Sequence, residues 1–324
     1  MSFREFRAGC AAFALIAVTA GIAHAQNDYP TKPVRIIVPT AAGAGLDTLA
    51  RLVAQNLSAR AGKQFVIDNR AGAGGAIGMD LGARASPDGY TLVMFTLTHL
   101  ATSTIPGRQS VDVVKDFAPV AWVSSMPYLL NVHPAVPAKS VGELIALAKA
   151  KPGTINYGST GNGSIQHLAG VMFETLSGAR LFHVPYKGGA LVINDLVGGQ
   201  IQMSFTVYTA CKSHIEAGRM RALGVTTPKR AAALPNIPAV AETLPKFEVN
   251  TWYGIVAPAK APAPILDWLN REVSTMLREP ELARRLAADT IEVATTSRQA
   301  FGRYLASEVK KWSAVVREAG IKNQ

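Results

Sequence analysis

Short β-rich runs alternate with longer amphipathic stretches along most of this chain. Val34–Val38 is an apolar run interrupted only by Arg35, the pattern of a buried strand. After a Gly/Ala loop, Leu46, Leu49, Leu52, Val53 and Leu57 recur at helical spacing. Strands are predicted at 65–68 and at Thr91–Thr96, the latter after a Pro87-Asp88-Gly89 turn. Strand, loop and helix in this order predict right-handed crossovers onto a mostly parallel sheet.

The rhythm restarts in the middle of the chain. Strands are predicted at 129–132, 155–157 and 181–184, and a half-buried strand at 200–205, where polar and apolar residues alternate. Helices are predicted at Val141–Ala150 and 165–176; Ser140 caps the first, with Glu143 three residues on completing a capping box. An aromatic strand containing Trp252 and Tyr253 follows at 249–257, and two helices close the chain. In the last, Phe301, Tyr304, Leu305, Val309, Trp312, Val315 and Val316 share one face, which reads as a core-facing surface.

Composition narrows the class. The chain has 324 residues, 48% apolar and 17% charged, which suits a globular protein of two domains. Arg4 and Arg7 precede an uncharged run from Ala8 to Ala23, which ends in Ala23-His24-Ala25. That order predicts a secretory leader over 1–25, cleaved before Gln26, and a periplasmic protein. The run is too short and too interrupted by Gly21 to span a bilayer. Cys10 lies before the apolar run and not after it, which argues against a lipoprotein. Beyond the leader only Cys211 remains, so no intramolecular disulfide is expected. No Cys/His cluster suggests a metal site, and no cofactor motif is complete. The net charge of +11 favours anionic partners, but the basic residues are scattered, with no aromatic-interleaved stripe or nucleic-acid-binding motif.

Four loops follow predicted strands, where α/β sheets place their ligands. The first runs Pro39-Thr40-Ala41-Ala42-Gly43-Ala44-Gly45-Leu46-Asp47; its small residues let backbone N–H groups approach a ligand, and Asp47 is read as a structural cap of the following helix. The second, Asn69-Arg70-Ala71-Gly72-Ala73-Gly74-Gly75, nearly matches a dinucleotide fingerprint. Ile77 stands at its third position, so it reads as a tight structural turn. The third, Gly158-Ser159-Thr160-Gly161-Asn162-Gly163-Ser164, leads into a helix carrying His167, and this concentration of glycine and hydroxyl residues at a helix start reads as a carboxylate-binding loop. The fourth, Pro185-Tyr186-Lys187-Gly188-Gly189, offers Lys187, which alone reads as a solvated surface lysine. No Gly-x-Ser-x-Gly elbow occurs, Ser164 and His167 share one helix turn, and paired acids are absent from these loops. No nucleophile, base and orienting group converge, so a binding protein is read here and not an enzyme.

The motifs resemble those of the Bug-type receptors of tripartite tricarboxylate transporters along the whole chain beyond the leader. The resemblance is carried by Tyr29-Pro30-Thr31-Lys32-Pro33, Asp68-Asn69-Arg70 with the following glycines, and Pro87-Asp88-Gly89-Tyr90-Thr91-Leu92. It continues through Lys115-Asp116-Phe117-Ala118-Pro119-Val120, Asn156-Tyr157-Gly158-Ser159, His183-Val184-Pro185-Tyr186-Lys187-Gly188-Gly189 and His214-Ile215-Glu216-Ala217-Gly218. It implies an α/β periplasmic-binding-protein fold, type II-like, with two α/β domains, a ligand cleft and two interdomain crossovers. These are placed near Ser124 and Glu248. Domain one is then 26–124 plus 248–324, and domain two 125–247. The resemblance further implies ligand-binding positions at Thr40, Ala41, Ala42 and Gly43, at Thr96 and Thr98, and at Ser159, Thr160, Gly161, Asn162, Gly163 and Ser164. His167, Lys187 and Thr206 complete the candidate set. The implied role is capture of a small carboxylate by hinge closure and delivery to a membrane permease, the alternative being a partner of a periplasmic sensor domain.

Two departures from the family pattern stand out. The first loop usually reads Phe-x-x-Gly-Gly, but here Thr40 and Ala44 replace the aromatic and the second glycine. The strand near 205 usually ends in Asp-Asn, and here Thr206 and Val207 stand instead. Loss of that acid points to a mono- or dicarboxylate without an ammonium group.

Overall fold

The computed structural model describes residues 29–108, 111–288 and 290–321. The predicted leader, and its cleavage point before Gln26, lie outside the described residues. The first half of the chain forms strands β1 (Val34–Val38), β2 (Phe65–Asn69) and β3 (Thr91–Thr96), with β1 pairing in parallel with both neighbours. Helix α1 (Gly45–Ala61) follows β1, α2 (Ala76–Ala83) follows β2, and the short α3 (Leu97–Ser103) follows β3. The leucines read as helical sit in α1, where Leu46, Leu49, Val53 and Leu57 are buried and Leu52 packs at the margin. Gly62 ends α1 in a left-handed conformation at φ 64°, a backbone state that glycine adopts without a Cβ clash.

The second half repeats this plan. Strand β4 (Phe117–Val132) leads into α4 (Val141–Ala150), β5 (Asn156–Ser159), α5 (Ile165–Ser177) and β6 (Phe182–Pro185). Then come α6 (Gly189–Val197), β7 (Met203–Val207), α7 (Tyr208–Glu216), β8 (Arg221–Val225) and α8 (Val240–Thr243). Here β5 is the parallel centre between β6 and β7. The chain returns through β9 (Asn250–Pro258), α9 (Ala263–Leu277), α10 (Pro280–Ala288), β10 (Glu292–Val293) and α11 (Arg298–Glu318).

The sheet is mixed, not mostly parallel. β9 runs antiparallel to both β3 and β4, and β4 runs antiparallel to β7, β8 and β10. The expectation of parallel pairing fails because β4 and β9 join the sheet without the βα crossover that parallel neighbours need. The 200–205 run also departs from expectation. Met203, Ser204, Phe205 and Thr206 are all buried, since β7 lies between two strands under helices on both faces. Three helices close the chain, because α10 (Pro280–Ala288) intervenes between α9 and α11. The aromatic face of α11 is core-facing as predicted: Phe301, Leu305, Trp312, Val315 and Val316 are buried, and Tyr304 stacks on Trp122 with ring centroids 4.1 Å apart. Glu308 is buried on this face as well. It accepts from Trp312 Nε1 at 3.1 Å and pairs with Lys311. Ser140 accepts from Glu143 N at 3.2 Å, while the Glu143 carboxylate reaches back to Lys139 N at 2.8 Å, one residue beyond the expected box.

β4 is shared by the two halves. Its register passes from Pro127 opposite Asn250 in β9 to Tyr128 opposite Val207 in β7. The chain crosses back before β9, at Val249. Thr226, fully buried, ties the two crossings together. Its hydroxyl accepts from Tyr128 N at 2.9 Å and donates to Val249 O at 2.6 Å, while its backbone N–H donates to Tyr128 O and its carbonyl accepts from Val249 N.

Thr226→Val keeps the shape of this side chain but leaves a buried N–H and a buried carbonyl without their partner. The expected loss is about 1–3 kcal/mol in a urea melt. Thr226→Ser should recover most of it. Equal stability of the valine variant and the parent would show that the hydroxyl is not what holds the crossings.

Candidate functional site

The parallel strands of each half carry their loops at their C-terminal ends. A cavity of about 370 Å³ lies where α3 and the segment after it meet the β5–α5 loop of the other half. It is lined by Thr98, Thr102 and Arg108 on one side and by Thr160, Gly161, Asn162, Gly163 and Ser164 on the other, with Gly74 and Ile321 at its margins. Its size falls within the range of small-ligand pockets.

The loop on the second side is stiff because its polar atoms bond one another. Ser159, fully buried at the end of β5, accepts from Gly161 N at 3.1 Å and meets His183 Nε2 at 2.6 Å. Gly163 N donates to His167 Nδ1 at 3.0 Å, and Ser164 caps α5 by accepting from His167 N. Thr160 bonds Gln166 at 2.9 Å. Gly161 and Gly163 have φ of 121° and 72°, and a Cβ at Gly163 would sit 2.5 Å from Arg108 Nη1. The imidazoles of His167 and His183 stack 3.9 Å apart. Burial lowers the pKa of both. For His183 burial comes first and the charge of His167 second, and together they bring it to about 4. Two protonated rings at that separation would repel, so the pair is a neutral platform beneath the loop.

The opposite wall is organised by His99. Its Nδ1 accepts from Thr96 N at 3.1 Å and contacts Thr96 Oγ1, and a hydrogen bond to the Pro39 carbonyl completes its partners. Nδ1 is therefore the acceptor and Nε2 the N–H tautomer. Thr96 caps α3 by accepting from Thr98 N at 3.2 Å. The close seat of Gly75 against this ring, where a Cβ would lie 2.1 Å from His99 Cδ2, explains the glycine-rich second loop as structural.

The structure brings together Thr98 and the loop from Thr160 to Ser164, and sets Thr96, Ser159 and His167 behind them as supports. Thr40, Ala41, Ala42 and Gly43 do not line this cavity. The last three are exposed, while Thr40 Oγ1 is buried with no hydrogen-bond partner. Lys187 is exposed and lines no part of it. Thr206 turns into the sheet, where its hydroxyl accepts from Asn131 Nδ2 at 2.6 Å beside buried Cys211. Asp47 does not cap α1, whose N-cap is Ala44 with no side-chain bond. It is the third helical residue, 2% exposed, and its carboxylate gathers Gly43 N, Arg51 Nε and Asn69 Nδ2 at 2.8–2.9 Å. The Arg51 hydrogen bond above all holds its pKa down at about 2. Asp47 is thus a tie between the first and second loops.

Sequence reasoning missed Arg108 and Thr102. Thr102 follows Thr98 by four residues on α3, so the helical period could have found it. Arg108 carries no such signal, as it follows a Pro106-Gly107 turn in a segment without periodicity. It is the one charged residue lining the cavity among the described residues, and its Nη1 donates to Asn162 O at 2.8 Å, across to the other half.

A family model described as tripartite tricarboxylate transporter family receptor matches residues 49–321. The protein BugT of Bordetella pertussis is 33% identical over 318 residues, covering 96% of this chain and 97% of that protein. Among solved structures, an R. palustris protein, Rpa4515 with adipate, is 35% identical with a TM-score of 0.78, covering 91% of this chain and 99% of its own. The periplasmic binding protein BugD is 30% identical with a TM-score of 0.75, covering 91% of this chain and all of its own (100%).

His99 is 4% exposed, and burial lowers its pKa from the ordinary 6.5 to about 4 despite the Pro39 hydrogen bond. The unfolded chain therefore takes a proton first as pH falls. The stabilisation is complete above pH 6.5 and is lost as pH drops toward 4. At pH 5 the loss amounts to roughly 2 kcal/mol from this residue. Denaturant melts at pH 7 and pH 5 should show that decline, and His99→Asn, which keeps an acceptor for Thr96 N, should show a smaller one. Matching declines in the two proteins would remove His99 from the account.

Proposed function

This chain belongs to the tripartite tricarboxylate transporter receptor family, and we propose that it captures a small organic carboxylate without an amine between its two halves and delivers it to a membrane permease. The observation that carries this reading is the cavity whose walls come from both halves and whose lining holds one cation, Arg108, and no carboxylate among the described residues. A guanidinium presents a fork of N–H donors matched to a carboxylate, and its contact to the Asn162 carbonyl is one that an anion would outbid in charge. The hydroxyls of Thr98 and Thr102 lie on the same wall. An ammonium group finds no anion among the described lining residues. That the R. palustris relative carries adipate agrees with an acid as ligand.

In this reading, 26–124 with 248–324 forms one domain and 125–247 the other. They close on the ligand about the β4 and Val249 crossings. The predicted leader sends the protein to the periplasm, so the exported protein should begin at Gln26 when its N-terminus is sequenced.

A thermal-shift and calorimetric screen of mono- and dicarboxylates, on protein refolded free of ligand, tests the assignment. An acid at a hundred times its dissociation constant should add about 2.7 kcal/mol of stability. Arg108→Met should weaken its binding about tenfold to hundredfold. Micromolar binding of aspartate or glutamate would overturn the exclusion of amines, and a screen in which no anion stabilises the protein would overturn the receptor for acids.

A further inference from the structure

Two stacked histidines stand behind the β5–α5 loop and line no part of the cavity. His167 belongs to the first turn of α5 and His183 to β6. A proton would affect their hydrogen bonds differently. His183 Nε2 meets Ser159 Oγ at 2.6 Å, and that hydroxyl also reaches Gly161 O at 3.1 Å. A protonated His183 can donate to the hydroxyl, which turns its own hydrogen to Gly161 O, so the contact survives. His167 Nδ1 has no such freedom. It accepts from Gly163 N at 3.0 Å, and a protonated imidazole has donors at both nitrogens and no acceptor. Gly163 is buried, and its N–H would then face another N–H. It is also seated against the other half: a Cβ there would lie 2.5 Å from Arg108 Nη1 and 2.6 Å from Ile105 Cδ1. A displaced Gly163 therefore disturbs the loop and its contact across the cavity together.

No neighbouring group answers a charge on this pair. The hydrogen bonds of the two rings go to no carboxylate among the described residues. Further along α5, Glu174 accepts from Leu181 N at 2.7 Å, and burial raises its pKa. From β5, Tyr157 donates to His167 O at 3.4 Å, and burial raises its pKa so that the phenol stays neutral. β7 (Met203–Val207) carries no ionisable side chain. α3 and α11 also pack on α5. On α3, His99 is bonded to Thr96 N; on α11, Glu308 is taken by Trp312 Nε1 and Lys311, while Arg317 and Glu318 are exposed. Arg108, beside Gly163, is a cation and opposes a second one.

We infer that His167 is the positioning residue of the β5–α5 loop: its neutral Nδ1 fixes the Gly163 N–H, and a proton taken up at that nitrogen releases the loop. The loop keeps its shape above the ordinary histidine pKa of 6.5 and yields as pH falls below it, with burial moving the change further down. The consequence for ligand affinity rests on the carboxylate reading above, whereas the effect on the loop does not.

The test titrates the full chain, labelled with nitrogen-15 and freed of ligand, downward from pH 7 by NMR. The Gly163 amide and the His167 ring should move with one midpoint, below 6.5. In His167→Asn, whose Oδ1 replaces Nδ1 as an acceptor that takes no proton, the amide should stay still. In His167→Ala it should sit at its low-pH position already at pH 7. An amide that stays still while the ring titrates, or that moves as far in His167→Asn as in the parent, overturns the assignment. So does a ring that takes no proton before the chain unfolds. Calorimetry with succinate and butyrate, at pH 7 and one unit below the midpoint, reads the consequence. Protonation of the acids themselves acts on both proteins alike, so the parent should lose about threefold to tenfold more affinity than His167→Asn. Equal losses, with the amide behaving as stated, leave the positioning role standing and remove this loop from acid binding. Absence of binding by both acids counts against the carboxylate reading and not against the role of His167.

Discussion

One buried hydroxyl decides how the two halves of this protein are joined. Thr226 Oγ1 sits between Tyr128 N and Val249 O, so the outward and returning crossings of the chain are bonded to the same atom. β4 alone would leave the second half hanging from a single strand. With Val249 also held to Thr226, the crossings form a two-stranded pivot whose backbone groups are satisfied in the interior. The cavity at the β5–α5 loop has walls from both halves, which meet along this pivot.

Much of the polar chemistry beside the pivot is internal. Ser159, His167, His183 and Gln166 hold the β5–α5 loop from behind, and Thr96 and His99 hold α3 in the same way. A loop whose glycine N–H groups already point at Ser159 and His167 has a fixed shape before anything binds. That preorganisation lowers the entropy cost of association. Arg108, the one charged residue lining the cavity among the described residues, reaches over from the other side to Asn162 O.

The elements were legible where pattern and packing agree. The leucine repeat of α1, the capping serine of α4 and the aromatic face of α11 all follow from spacing, because one side of each helix must be buried. Of the loop singled out at Ser159 to Ser164, residues Thr160 to Ser164 line the cavity and Ser159 lies behind it. What periodicity cannot show is which polar residue answers which. Thr226 is an ordinary threonine in an ordinary Thr-Thr-Pro stretch, and Glu308 breaks the apolar face of α11 until its bond to Trp312 Nε1 is seen. Arg108 follows the same logic, since a single arginine after a turn is placed by tertiary structure alone. The antiparallel insertion of β4 and β9 was hidden for a related reason: a continuous apolar strand reads alike in either direction.

The departure at Thr206 and Val207 gains a second meaning from the structure. Read along the chain, it was the loss of an acid. In the fold, Thr206 turns inward to share a buried polar cluster with Asn131 and Cys211, and Val207 turns the other way, into a cavity wall with Leu49, Met126 and Ile291. Successive side chains on a strand point to opposite faces, so this one pair changes both surfaces at once. The two positions that depart from the family pattern therefore act on opposite faces of one strand end, Thr206 in a buried polar cluster and Val207 on an apolar surface.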